Sequence, residues 1–188
     1  MAKRRAVFLD RDGVINKEVD HLNKVEDLRL LPGAAKSIAE LNRMGLLTVI
    51  ISNQGAVAKG LLTAEGLEKI NAELLRRLAR RGARIDGVYL CLHHPEGSVK
   101  KYRLKCDCRK PNPGMVFQAA KELKIDLKKS FFVGDTTSDM LTGQRAGVAT
   151  ILVETGYGGR DKKHEVKPDA TVKNLLEAVR YIRRVSKS

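Results

Sequence analysis

Several features that mark particular protein classes are scarce or missing in this chain. Its 188 residues include no Trp and only 4% aromatic residues, so the stacked aromatic platforms that bind single-stranded nucleic acid are poorly supplied. No apolar run approaches the roughly 18 residues of a membrane span, and the N-terminus has no apolar signal core. We therefore expect a cytoplasmic protein without a membrane partner.

Acidic side chains are also few relative to basic ones. There are 22 Asp and Glu residues against 36 Lys and Arg, which gives a formal net charge of +14. The basic residues concentrate in 97–130 and 160–188, and such fields attract phosphates, nucleic acid or acidic surfaces. Solvated Lys- and Arg-rich helix faces explain the same charge. We favour that interpretation, and nucleic acid is not the expected partner.

The hydrophobic pattern predicts alternating strands and helices in a single domain, residues 1–188. Nearly continuous apolar strands separated by helices indicate a mainly parallel sheet that is covered on both faces, an α/β fold. The predicted strands are 6–10, 46–52, 87–92, 131–134, 150–153 and 170–172. The predicted helices are 34–44, 63–80 with its N-cap, 113–123, 139–146 and 175–185.

Two carboxylates directly follow the first predicted strand. Asp10 and Asp12 are separated by one residue, and Gly13 allows the chain to turn at once. Two unpaired carboxylates at the end of a strand repel each other unless a cation or a shared proton relieves them. The pair therefore predicts a metal-assisted site with an acid and a nucleophile.

Polar clusters follow four of the predicted strands. Because ligands of parallel sheets bind beyond the carboxyl ends of the strands, four clusters on one rim favour an active site over four independent turns. The clusters are Asp10 with Asp12, the run Ser52-Asn53-Gln54-Gly55, the segment from Cys91 onward, and Gly134-Asp135 with Asp139.

These motifs resemble those of the haloacid dehalogenase-like (HAD) phosphatase superfamily. The strings FLDRDGVIN, SNQGAVAKG, HHPEGSV, CDCRKPNPGM and VGDTTSDM are closest to the branch of heptose bisphosphate and histidinol-phosphate phosphatases. The resemblance covers essentially the whole chain. It implies a three-layer Rossmann-like fold and a Mg²⁺-dependent phosphatase whose active site is closed by a short flap, about residues 14–31, with no inserted cap domain.

The resemblance implies a role for each motif. Asp10 would attack the phosphorus to form an aspartyl-phosphate, and Asp12 would act as general acid and base. Mg²⁺ would bind the Asp10 carboxylate, the Asp12 backbone carbonyl and Asp135, because it prefers hard oxygen ligands. Asp139 would orient Lys110 or support the metal. Ser52 and Lys110 would serve catalysis, and the expected substrate contacts are Arg11, Glu18, His21, Asn53, Gln54 and Arg109.

All three cysteines lie in a second cluster, Cys91-x-His93 followed by Cys106-x-Cys108. Thiolates and imidazole are preferred zinc ligands, and four of them complete a tetrahedral structural site. The spacing differs from paired C-x-x-C modules, but the resemblance implies a zinc loop here, about 91–110. His94 is an alternative to His93. Free thiols, a redox pair or a buried structural cysteine are the other interpretations, and a strained C-x-C disulfide is disfavoured.

The zinc loop also suggests a purpose for its metal. Residues 92–109 carry few apolar side chains and cannot order themselves by burial alone. A zinc ion that pins both ends of the loop would hold Arg109 and Lys110 at the mouth of the active site. We therefore expect zinc to act on catalysis through the position of Lys110, without taking part in the chemistry.

The substrate is predicted less sharply than the reaction. A short flap suits a small phosphorylated sugar, and the resemblance favours the 7-phosphate of heptose 1,7-bisphosphate. Histidinol phosphate, a nucleic-acid 3′-phosphate and an inactive zinc-stabilised binding module are the alternatives. Thr136 departs from the resemblance, because a lysine that contacts anionic substrate often follows the metal-binding aspartate. Nothing in the pattern indicates assembly, so we expect a monomer.

Overall fold

A computed structural model describes residues 3–186 and contains one six-stranded sheet. All pairings between neighbouring strands are parallel, in the order β3-β2-β1-β4-β5-β6. The strands are β1 Ala6–Leu9, β2 Leu47–Asn53, β3 Gly87–Cys91, β4 Phe131–Gly134, β5 Ala149–Val153 and β6 Ala170–Val172. The helices are α1 Ala34–Arg43, α2 Ala64–Ala79, α3 Gly114–Glu122, α4 Thr137–Ala146 and α5 Leu175–Val185.

Helices cover both faces of the sheet because the central strands are apolar on both sides. Alternate residues of a strand point to opposite faces, so Val7 and Leu9 pack with α1, α2 and α5. Phe8 packs on the other face, where Met115 and Val116 of α3 contribute to a second core. This three-layer α/β arrangement confirms the predicted fold class. No helix within residues 3–186 is long and apolar enough to cross a membrane.

The predicted elements all form, and their ends shift by only a few residues. The clearest shift is α4, which starts at Thr137 rather than 139. Thr136 caps it: its hydroxyl accepts from the Asp139 backbone N–H, and the Asp139 carboxylate accepts from the Thr136 backbone N–H. This reciprocal capping box satisfies two helix-end donors at once. It also turns the Asp139 side chain back towards the sheet.

Two long connections rise above the carboxyl end of the sheet. The first is the predicted flap, which contains a short 3₁₀ helix, Val25–Asp27, and is anchored by a bridge between Asn16 and Leu30. The second runs from residue 154 to 169, between β5 and β6. Gly159 N donates to the Asp135 carbonyl at 2.8 Å, so this connection is fastened directly over the end of β4.

Candidate active site

The ends of β1, β2 and β4 meet beneath an open cleft of about 490 Å³. The chain leaves β1 at Asp10, whose backbone N–H still bonds to Val133 of β4 at 3.0 Å. Ser52 and Asn53 are the last residues of the neighbouring strand β2, and Asp135 follows β4 directly. The structure therefore brings polar side chains from the ends of these strands together, with Asp10, Asp12 and Ser52 lining the cleft and Asp135 buried beneath it.

Lys110 forms the charged centre of this surface. Its Nζ lies 2.9 Å from Asp10 Oδ1 and 2.5 Å from Asp139 Oδ1, and it donates to the Ile51 carbonyl at 3.2 Å. Burial alone would lower the pKa of Lys110, but the charges of Asp10 and Asp139 outweigh burial and raise it. The lysine therefore stays protonated although it is almost fully buried.

Asp10 is the carboxylate at the cleft floor. Burial raises its pKa to about 7, and the charge of Lys110 opposes that increase. A carboxylate that is desolvated but held by a lysine is poised as a nucleophile, because little water must be removed before it attacks. The geometry thus gives Asp10 both the access and the electrostatic setting for attack on phosphorus.

Asp135 has the carboxylate oxygen that is best suited to bind a cation. Its Oδ1 is buried and has no hydrogen-bond partner among residues 3–186, while its Oδ2 accepts from Tyr157 N at 2.8 Å. Burial raises its pKa to about 9, and the charges of Asp10 and Asp139 add to that increase. Ligand oxygens of these three acids all lie within 4.8 Å of one another. The donor set fits Mg²⁺.

Asp10 and Asp135 are the members of this acidic group that remain available to a metal. Both oxygens of Asp139 are already engaged, one by Lys110 and the other by the backbone N–H and hydroxyl of Thr136. Asp139 thus holds Lys110 in place and does not compete for the cation. This arrangement corresponds to the first of the two roles expected for it.

Glycines pack against the Asp135 carboxylate and leave no room for a side chain. A Cβ at Gly156 would lie 2.1 Å from Asp135 Oδ2, and Gly156 has a φ of +61°. We predict that Gly156→Ala displaces the carboxylate, lowers kcat/KM by about 10²-fold and raises the Mg²⁺ concentration needed for half-maximal activity. Steady-state kinetics over a Mg²⁺ titration measure both effects.

Gly82→Ala is the matched control for this substitution. Gly82 has a φ of +74°, but a Cβ there would meet nothing within 4 Å. Both variants carry the backbone cost of a left-handed alanine, about 1–2 kcal/mol, and only Gly156→Ala should alter the Mg²⁺ dependence. Equal kinetic losses in the two variants would show that backbone strain, and not the displaced carboxylate, is responsible.

Arg11, which the resemblance makes a substrate contact, is bonded to other residues of the protein. Its side chain is fully buried, and its guanidinium binds Asp12 through paired contacts of 2.8–3.2 Å and Asn71 Oδ1 at 3.0 Å. Its Nε, Nη1 and Nη2 atoms all donate to these two partners, so Arg11 positions Asp12 at the edge of the cleft. The partner Asn71 lies on α2, sixty residues along the chain, so no local pattern could reveal this role.

Asp12 is held by three neighbours in this arrangement. Besides Arg11, it accepts from Asn16 Nδ2 at 2.7 Å and Gln54 Nε2 at 3.0 Å. Burial would raise the pKa of Asp12, but the charge of Arg11 and these hydrogen bonds together lower it. Asp12 is therefore ionised before substrate arrives, which suits a general base.

Ser52, Asn53 and Gln54, at the end of β2, hold other residues of the site in place. Gln54 also donates to Ser52 Oγ at 2.9 Å. The Asn53 side chain forms a reciprocal pair with the Lys110 backbone, donating to its carbonyl at 3.1 Å and accepting from its N–H at 3.0 Å. Asn53 thus clamps the lysine segment against β2, although all three residues line the cleft.

The three cysteines and His93 gather at the end of β3. The Sγ atoms lie 3.1–3.6 Å apart, and His93 Nδ1 lies 3.3 Å from Cys108 Sγ. Ligands of a tetrahedral Zn²⁺ at about 2.3 Å are themselves separated by about 3.7 Å, whereas a disulfide needs about 2.05 Å. All three thiols are free, so the donor set and its spacing fit zinc.

The neighbouring residues His93 and His94 face different parts of the structure. His94 lines the active-site cleft, whereas His93 points into the thiol cluster, so His93 is the candidate zinc ligand. Arg109 donates to the His93 carbonyl at 3.0 Å, and Asn112 donates to the Cys106 carbonyl at 2.9 Å. The cluster and the Lys110 segment are therefore joined by direct hydrogen bonds.

The outer cleft contains predicted and unpredicted side chains. Glu18, His21 and Arg109 line it as expected. Burial raises the pKa of Glu18, and the charge of nearby Asp12 adds to that increase. Five further lining residues were not predicted as site residues. Asp20 and Lys59 lie within the predicted flap and the SNQGAVAKG string, whereas the others come from segments that no motif marks: Tyr157, Asp161 and Lys163.

Comparison with known proteins agrees with this site. A family model described as HAD-hydrolase-like matches residues 107–178. The D-glycero-β-D-manno-heptose-1,7-bisphosphate 7-phosphatase of Escherichia coli (strain K12) is 40% identical over 152 residues, covering 80% of this chain and 80% of that relative. The Vibrio cholerae protein of the same name is 38% identical over 187 residues, covering 97% and 98%.

A solved structure extends the similarity over the whole fold. The D,D-heptose 1,7-bisphosphate phosphatase of B. bronchiseptica, complexed with magnesium and phosphate, matches with a TM-score of 0.85 and 29% identity over 98% of this chain and 99% of that one. With the fold and the site, these matches make the chain a phosphatase of the HAD-like hydrolase class. More particularly, it belongs to the family of D-glycero-β-D-manno-heptose-1,7-bisphosphate 7-phosphatases.

Proposed function

We propose that this protein removes the 7-phosphate of D-glycero-β-D-manno-heptose 1,7-bisphosphate in a Mg²⁺-dependent reaction. The observation that carries the chemistry is the desolvated Asp10 paired with Lys110 at the floor of the cleft, together with the buried Asp135 Oδ1, which has no hydrogen-bond partner among residues 3–186. The choice of sugar rests on relatives of that name, which are 38–40% identical over most of the chain.

The first half-reaction is the transfer of the phosphoryl group to Asp10. An Asp10 oxygen attacks phosphorus in line with the sugar oxygen, the bond to that oxygen breaks, and an aspartyl-phosphate forms. Lys110 neutralises charge on the phosphoryl oxygens, and Ser52 with the backbone after β2 faces the same group. A bound Mg²⁺, held by Asp10, the Asp12 carbonyl and Asp135, would supply further neutralisation of the phosphate.

Asp12 serves both halves of the reaction. Its neighbours keep it ionised in the free protein, but an approaching phosphate dianion raises its pKa by like-charge repulsion. The proton that Asp12 then carries goes to the leaving sugar oxygen. The resulting carboxylate takes a proton from water as the water oxygen attacks the phosphorus. The bond between phosphorus and the Asp10 oxygen then breaks, which releases inorganic phosphate and regenerates Asp10. Arg11 holds the carboxylate at the required position throughout.

We also propose that Cys91, His93, Cys106 and Cys108 bind one structural Zn²⁺. Burial raises the pKa of the Cys91 thiol, so without a metal it would keep its proton, and a zinc ion would replace that proton. We treat residues 1–188 as one phosphatase domain, because every strand described belongs to a single sheet. The proposed substrate partner is one small phosphorylated sugar, bound by a monomer.

A phosphate-release panel tests the proposed function. With Mg²⁺ present, heptose 1,7-bisphosphate should exceed histidinol phosphate and a 3′-phosphorylated oligonucleotide in kcat/KM by at least about 10²-fold. An equal or higher value for histidinol phosphate would overturn the proposed substrate while leaving the chemistry intact. Preference for the oligonucleotide, with affinity that falls steeply as salt rises, would instead assign the basic surface to nucleic acid.

A further inference from the structure

The outer cleft holds more positive charge than transfer of a single phosphoryl group requires. Lys110 lies at the floor beside Asp10, whereas Lys59, Arg109 and Lys163 line the same cleft around it. Among residues 3–186, none of these three outer cations has an acidic side chain within ion-pair distance. Unpaired cations converging on a cleft favour an anionic group of the ligand.

One wall of this cationic group is built around Gly55. A Cβ at Gly55 would lie 3.4 Å from Arg109 Nη1 and 3.4 Å from His94 Cδ2, so both side chains close over the glycine. Arg109 and His94 therefore form one side of the cleft that Lys59 and Lys163 also line.

The other wall is the connection between β5 and β6. Thr137 N donates to Asp161 Oδ1 at 2.8 Å and its hydroxyl donates to Asp161 Oδ2 at 2.6 Å, while His164 N donates to the same hydroxyl at 3.2 Å. Both residues that flank the Lys162-Lys163 pair are thus tied to the start of α4. Lys162 has a φ of +45°, which turns the chain sharply between them.

The hydrogen bonds between the β5–β6 connection and Thr137 compensate for the lack of a lysine at position 136. Thr136 stands where the resemblance places an anion-binding lysine, and its hydroxyl is occupied by Asp139. Lys163 is carried to the same cleft by a segment that is bonded to the next residue, Thr137. A cation is therefore available at this side of the cleft, supplied from a different part of the chain.

We propose that Lys163, together with Lys59, binds the phosphate of the substrate that is not attacked. This inference rests on the proposed function and assigns Lys163 a role in selecting a bisphosphorylated sugar over a monophosphorylated one. The acidic residues of the cleft do not prevent phosphate from binding to these lysines. Glu18 and Asp20 lie on the flap, where they suit sugar hydroxyls, and the Asp161 carboxylate is held by Thr137.

The test compares heptose 1,7-bisphosphate with heptose 7-phosphate, which keeps the attacked group and lacks the second one. Lys163→Gln should raise KM for the bisphosphate about tenfold. This is the lower end of the range expected for loss of a charged hydrogen bond, because the Lys163 side chain is exposed. Its kcat, and both constants for heptose 7-phosphate, should stay within about twofold. Lys163→Arg should restore the KM, and the difference should shrink as ionic strength rises.

Lys162→Gln is the matched control, because it removes the same charge from the adjacent residue, which does not line the cleft. It should leave both substrates unaffected. Equal losses in the two variants, or equal losses of Lys163→Gln on the two substrates, would overturn the inference. An unchanged KM for the bisphosphate would do so as well. A wild-type protein that releases phosphate from neither sugar would contradict the proposed function itself.

Discussion

Asp10→Asn is expected to lower kcat by at least about 10⁴-fold on every phosphomonoester, because an amide cannot attack phosphorus and carry the phosphoryl group. The wild-type carboxylate lies 2.9 Å from Lys110 and is desolvated at the floor of the cleft. Stopped reactions with labelled substrate should show phosphate bound to the wild-type protein and none bound to the variant. Those two measurements together assign the nucleophile.

The protein should remain folded when Asp10 is replaced. Burial raises the pKa of Asp10 to about 7, so removing its charge relieves a desolvated carboxylate, and Lys110 keeps Asp139 as its partner. We therefore expect the free energy of unfolding at pH 7 to stay the same or to rise. Asp27→Asn, the same chemical change at an exposed position, should keep full activity. If Asp10→Asn retained about 1% of the wild-type turnover, that result would contradict the aspartyl-phosphate mechanism.

The fold was accessible from the sequence because its signals are local. Each strand is a short apolar run and each helix has its own stripe, so boundaries such as Phe131–Gly134 could be predicted directly. The site centre was also accessible, since parallel strands bring the residues after β1, β2 and β4 to one rim. Sequence order alone therefore located the groups that meet below the cleft.

Roles that depend on distant partners were not accessible. The resemblance implied that Arg11 contacts the substrate, yet its buried side chain bonds to Asn71 on α2, sixty residues away. Lys163 lies in a connection without periodicity, and bonds from this connection to Asp135 and Thr137 bring it to the cleft. The choice between His93 and His94 likewise depends on how the chain turns after β3.

Loss of zinc is expected to reduce turnover through the position of Lys110. The proposed ligands join the end of β3 to the segment before Lys110, and Arg109 bonds to the His93 carbonyl between them. Cys106→Ser should remove most of the zinc, lower the melting temperature and reduce kcat by about 10²-fold, the effect of misplacing a group by about 1 Å. Metal analysis, thermal unfolding and kinetics measure the three effects.

The Mg²⁺ dependence separates misplacement of Lys110 from general damage to the site. Asp10 and Asp135 follow other strands, so the Mg²⁺ concentration for half-maximal activity should stay nearly unchanged in Cys106→Ser. Ser98→Ala, an exposed change in the same loop, should keep both zinc and turnover. Asn53 clamps the Lys110 backbone from the other side, so combining Asn53→Ala with zinc loss should cost more than either change alone. A zinc-free protein with an ordered loop and full turnover would show that the Asn53 clamp is sufficient and that zinc has no part in placing the lysine.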